Sequence, residues 1–114
     1  MDRVQELIER IRAFNDERDW EQFHSPKNLA MALAVEASEI MELFQWLTQE
    51  ESRGLEPEKV VLLREEVADV LIYLLNLSDK LDIDPLAAAF EKIEKNAANY
   101  PVEGSKGVAD KHTG

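Results

Sequence analysis

The chain has 114 residues, 45% hydrophobic and 32% charged, with 13 Lys+Arg against 24 Asp+Glu and no cysteine. That length suits one compact domain with enough apolar material for a core, which excludes global disorder. A net charge of −11 argues against nucleic-acid polymers and anionic membranes as partners, and zero Cys excludes disulfides, thiolate-bound zinc, iron–sulfur clusters and a cysteine nucleophile. The first residues, MDRVQELIERIRAF, carry charges every few positions with no apolar leader core, and no stretch approaches the roughly 20 apolar residues needed to span a bilayer. The expectation is a soluble, untargeted, cytoplasmic protein.

In chain order, Val4, Leu7, Ile8, Ile11 and Phe14 form an apolar stripe of helical period, with Asp2 as N-cap, and predict a first helix over about 2–18. A polar and aromatic stretch, Asp19 to His24, leads to Ser25-Pro26, a cap followed by a proline suited to the first helical position. From there to about Glu51 nothing breaks a helix, and Leu29, Leu33, Ile40, Leu43, Phe44 and Leu47 keep helical spacing until Gly54. Pro57 opens a third helix whose centre, Val67 to Leu75, is apolar almost all round, the pattern of a helix buried on most sides. Asp84-Pro85 opens a fourth, running through Leu86, Phe90 and Ile93 to about Asn99, before Tyr100-Pro101. All 4 prolines fall at predicted helix boundaries and no strand alternation appears, so the fold class is all-α, a four-helix bundle. Residues 103–114 read as a flexible C-terminal tail.

Two pairs of acids stand among apolar neighbours. Glu36 and Glu39 on the second helix, and Glu66 and Asp69 on the third, are each three residues apart, so each pair shares a face one turn apart. Tyr73 and Asn76 continue the polar line of the third helix. A chain with 24 acids makes such spacings by chance, Glu6/Glu9 and Glu91/Glu94 among them. The two chosen pairs differ in sitting on the two most apolar helices, where unpaired charge is costly. Four carboxylates drawn together need a cation, and oxygen-only ligation suits Mg²⁺, with Mn²⁺ as substitute, over zinc or copper. A di-iron bundle would place Glu-x-x-His on two helices, whereas His24 and His112 both lie outside the predicted ones. A bound Mg²⁺ makes a di- or triphosphate the natural substrate, and no glycine-rich phosphate loop is present.

The segments RDWEQFHSPKNLAMALAVEASEIMELFQW, LREEVADVLIYLL and NYP, spread over residues 10–101, closely resemble MazG-like nucleotide pyrophosphohydrolases of the dCTP pyrophosphatase subgroup. The resemblance implies an all-α NTP pyrophosphatase bundle over residues 1–102, assembling through helix faces into a homo-oligomer, a dimer or a dimer-of-dimers tetramer. It implies Mg²⁺-dependent hydrolysis of a nucleoside triphosphate, dCTP or C5-modified dCTP, to the monophosphate and pyrophosphate as nucleotide-pool housekeeping. The family's four metal-binding acids fall on Glu36, Glu39, Glu66 and Asp69, with Glu65 as a further ligand or water-orienting base. For the base and sugar it suggests Trp20 and Trp46 as stacking rings, with Phe23, His24, Asn28 and Tyr73 beside them. Lys27 and Asn96 are further phosphate or pocket contacts.

The chain differs from its likeness in two places. Ile11 stands where eukaryotic dCTP enzymes have a histidine nine residues before the first tryptophan, which relaxes the expected preference for cytosine. Lys111-His112-Thr113-Gly114 replaces a tyrosine-containing K-Y-T-E-L, so a tail closing over the site with Lys106 or Lys111 on phosphate is altered. Two other readings stay open: the same chemistry on dUTP, an oxidised purine triphosphate or phosphoribosyl-ATP, and a non-enzymatic helical oligomerisation module.

Overall fold

The structure is a computed structural model that describes residues 2–107; Lys111 and His112 lie outside the described residues. The expected all-α class holds, with no strand among the described residues. Helix α1 spans Arg3–Glu17 and begins where Asp2 accepts a hydrogen bond from the Gln5 backbone N–H at 2.8 Å. It stops at Asp19, whose φ of 53° is left-handed, and the Trp20 N–H turns back to the Asn15 carbonyl at 2.9 Å. The Arg18 guanidinium covers the Phe14 ring at 3.7 Å, and Trp20 meets that ring edge-on at 5.4 Å. A single 3₁₀ turn, Glu21–Phe23, connects to α2, Pro26–Phe44, capped by the Ser25 hydroxyl.

Helix α2 is shorter than the sequence reading expects. It ends at Phe44, and a separate turn, α3 (Gln49–Ser52), takes up what reads as its last residues. The cause is a capping box: Thr48 Oγ1 accepts from the Glu51 N–H at 3.1 Å, while Glu51 Oε1 accepts from the Thr48 N–H at 2.9 Å. Those two bonds start a helix at Thr48 and stop the preceding one from running through it. Helix α4 spans Pro57–Lys80, α5 spans Pro85–Asn99 with Asp84 as its cap, and a one-turn α6, Val102–Ser105, lies where a loop is expected. None of these helices is long and apolar enough to cross a membrane.

The chain divides into two compact units, Met1–Asp82 and Ile83–Gly114. In the first, α2 lies along α4 and α1 packs on α4. Ile8 and Ile11 of α1 meet Leu75 of α4 in a small core flanked by Val4 and Leu7, and Leu29 of α2 is 1% exposed. Two ion pairs fasten the end of α4. Arg12 donates to Asp79 from Nε and Nη2 at 2.8 and 2.5 Å, and Lys80 bonds Glu21. Hydrogen bonding from Arg12 holds the Asp79 carboxyl below its ordinary range.

The expectation that the third predicted helix is buried on most sides is corrected within a single chain. Leu75, Asn76 and Ser78 of α4 are buried, but Val67, Leu71, Ile72 and Leu74 are exposed. An all-round apolar pattern does not by itself bury a helix, and in this chain those four side chains stay exposed. In the second unit Phe90, Ile93 and Val102 are likewise exposed.

Candidate active site

Two helices bring the acids together. With α2 alongside α4, the one-turn spacing of Glu36 and Glu39 faces Glu66, and carboxylate oxygens of all three lie within 4.8 Å of one another. Glu36 Oε2 and Glu66 Oε2 are buried with no hydrogen-bond partner. The Glu66 carboxyl is pushed up to about 7, first through its hydrogen bond with Glu39, then by burial, then by Glu36. Glu36 is raised chiefly by burial, with the charges of Glu39 and Asp69 adding to it, while its bond with Glu66 acts the other way. Partly buried carboxylates that resist ionising, two with orphaned oxygens, are what a divalent cation relieves; oxygen-only donors at this spacing fit a hard one.

The remaining acids stand apart from the three. Asp69, one turn beyond Glu66, is exposed; its charge raises Glu36 and its side chain lines a neighbouring cavity. Glu65 is exposed and outside the group.

The cavity has a volume of about 350 Å³, the lower end of the range for small-molecule sites. Trp20, His24 and Tyr73, all singled out in the sequence, line it, and Leu7, Ile11, Phe14 and Ile72 give it an apolar wall. Asn76, 4% exposed, holds His24 through a contact of 3.2 Å between its Nδ2 and the ring Nδ1. The other suggested contacts lie outside this wall. Phe23 is exposed, and its carbonyl accepts from Asn28 Nδ2 at 3.0 Å, so the Asn28 amide fastens the start of α2. Lys27 is exposed, and Trp46 is 87% exposed beyond the end of α2, which rules out a core role for it in the single chain. Asn96 is an exposed residue of α5, in the second compact unit.

Two lining residues were missed in the sequence, Arg10 and Asn15. Arg10 is a solvated charge on α1 with no sequence signal. Asn15 had one: it occupies the Ile8–Ile11 stripe at the next helical step, a polar residue in an apolar register.

Residues 31–113 match the MazG-like family. The chain belongs to that family. This MazG-like chain is 44% identical over 111 residues to dCTP pyrophosphatase 1 of Rattus norvegicus and 42% identical over 111 residues to that of Homo sapiens, in each case over 95% of its own length. It spans 65% of the length of either relative. The crystal structure of a pyrophosphatase from Archaeoglobus fulgidus superposes on the MazG-like fold with a TM-score of 0.84 at 40% identity, covering 89% of this chain and 94% of the archaeal one.

Proposed function

We propose that the protein is a Mg²⁺-dependent nucleoside triphosphate pyrophosphohydrolase that cleaves dCTP or a C5-modified dCTP to the monophosphate and pyrophosphate. The observation that carries this is the group Glu36, Glu39 and Glu66, with its partnerless buried oxygens, connected through Asp69 to a cavity walled by Trp20 and Tyr73. Acids for a cation and an aromatic slot for a base within two turns of one helix match the two ends of a nucleotide. The names of the rat and human relatives, dCTP pyrophosphatase 1, support cytosine as the base.

Glu36, Glu39, Glu66 and Asp69 would hold the cation, which neutralises phosphate charge and favours departure of pyrophosphate. Trp20 stacks on the base, a contact that binds without selecting. A carboxylate of the acidic group, or Glu65 just outside it, orients the water and takes its proton as oxygen attacks the α-phosphorus and the α–β anhydride breaks. Low dielectric around the partly buried acids strengthens each of these interactions.

Exposed apolar side chains on α2, α4 and α5, among them Val35, Met41, Val67 and Phe90, support a homo-oligomer, a dimer or a dimer of dimers. Residues 1–102 act as the catalytic domain and 103–114 as its tail, in the cytoplasm where the nucleotide pool lies.

The test is product analysis after incubation with Mg²⁺ and a panel of dCTP, 5-methyl-dCTP, dUTP, 8-oxo-dGTP and phosphoribosyl-ATP. Monophosphate and pyrophosphate from dCTP or its C5-modified form, abolished by EDTA, are expected. Release of orthophosphate refutes α–β cleavage, and no turnover of any member refutes the enzyme reading and leaves the oligomerisation module.

A further inference from the structure

Asn15 is 4% exposed and lines the cavity, yet its Nδ2 has no acceptor; among the described residues it is the one buried side-chain nitrogen in that condition. The other buried amide of the cavity differs, because Asn76 Nδ2 is already held by His24. The same lining holds Ile11, Phe14 and Ile72, which carry no acceptor, and His24, Asp69 and Tyr73, none of which bonds Asn15 Nδ2. A donor shut away from water without a partner weakens the fold, so its place in an apolar register calls for a reason. The terminal torsion of Asn is broad and roughly two-fold, so a turn about it can present the amide to the cavity.

We propose that Asn15 is a specificity-determining residue: its Nδ2 donates to an in-plane acceptor of the heterocycle held in the cavity, the ring nitrogen or the carbonyl oxygen of a pyrimidine. This deepens the pyrophosphohydrolase reading and rests on it. Aromatic faces accept any base, whereas a buried donor left without a partner rejects a ligand that offers no acceptor at that point.

Asn15→Leu has nearly the same volume and removes the orphaned donor. The variant should melt a few degrees higher than the wild type, about the sign and size that relief of a buried unpaired group gives. A purely structural amide would give a lower melting point instead. Its kcat/KM on dCTP should fall about tenfold, mostly through KM, the effect of one lost hydrogen bond to a desolvated partner. The same variant is then assayed on 3-deaza-dCTP, which lacks the ring acceptor, and on 2-thio-dCTP, whose C2 acceptor is weakened. On whichever analogue lacks the acceptor that Asn15 reads, the substitution should cost less than about twofold, the non-additivity expected of a direct contact. An equal loss on all three triphosphates, or a loss under twofold on dCTP, overturns the proposal and leaves the pyrophosphohydrolase reading intact. If the wild type turns over no nucleotide, that underlying reading fails, and calorimetric binding of deoxycytidine to metal-free protein decides Asn15 alone. Tighter binding by the wild type than by Asn15→Leu upholds the contact; equal binding, or none, overturns it.

Discussion

Cation binding at the acidic cluster should tighten with pH, and the structure sets by how much. Glu66 titrates at about 7 in the metal-free protein, against an ordinary 4.5, because Glu39 shares its proton in a partly buried site. A carboxylate must be ionised to ligate. Only about one site in eleven is ready at pH 6 and about ten in eleven at pH 8, so the apparent Kd for Mg²⁺ should fall about tenfold between them. The sign for stability is opposite. Between pH 4.5 and 7 the folded metal-free chain holds a proton that the unfolded chain has released, so its stability declines as pH rises through that window and levels off above it. Isothermal titration of Mg²⁺ at pH 6, 7 and 8, in two buffers of different ionisation enthalpy, reads both the affinity and the protons released. Glu66→Gln should reduce the pH dependence, the remainder coming from Glu36, whose carboxyl is also raised. A Kd constant within twofold over this range, or no proton release at pH 7, refutes the assignment of Glu66 as a shared-proton ligand.

Glu39→Gln should remove the stabilisation that Mg²⁺ gives the wild type, about 2.7 kcal/mol at a concentration one hundred times Kd, while leaving the metal-free variant no less stable, as differential scanning calorimetry will show. Trp20→Ala should raise KM for the nucleotide about tenfold, with kcat less affected, in steady-state assays, since it removes one stacking face. Leu29→Ala empties the most completely buried side-chain position and should cost about 2–5 kcal/mol of unfolding free energy in urea titrations. Light scattering at micromolar concentration should give at least twice the mass of one chain; a monomer there would leave the exposed apolar residues of α2 and α4 unexplained.

Helix starts were legible wherever a side chain announces them: Asp2, Ser25-Pro26 and Asp84-Pro85 cap their helices as the sequence suggests. The break after Phe44 was legible too, in the spacing of Thr48 and Glu51, but the continuous apolar period from Leu29 to Leu47 masked it. Three of the four selected acids converge because one-turn spacing on adjacent helices leaves little freedom, whereas Asp69 is exposed and outside that group, though its charge still reaches Glu36. The aromatic candidates separated according to their elements. Trp20 is held by the turn after α1, while Trp46 lies past the end of α2, where nothing in the single chain covers it. Asn15 went unread because a lone Asn near a helix end reads as a cap, and only packing shows that its amide is enclosed.

Helix α4 carries its jobs in series: Glu66 and Asp69 on one turn, Tyr73 and Asn76 on the next two, and the Asp79 and Lys80 clasps at its end. A helix rises about 1.5 Å per residue, so the ten steps from Glu66 to Asn76 mark off about 15 Å along a rod that does not stretch. On the proposed reading that distance sets the span between cation and base, and one residue inserted between Asp69 and Tyr73 would swing everything beyond it by about 100° and leave its two ends facing different directions.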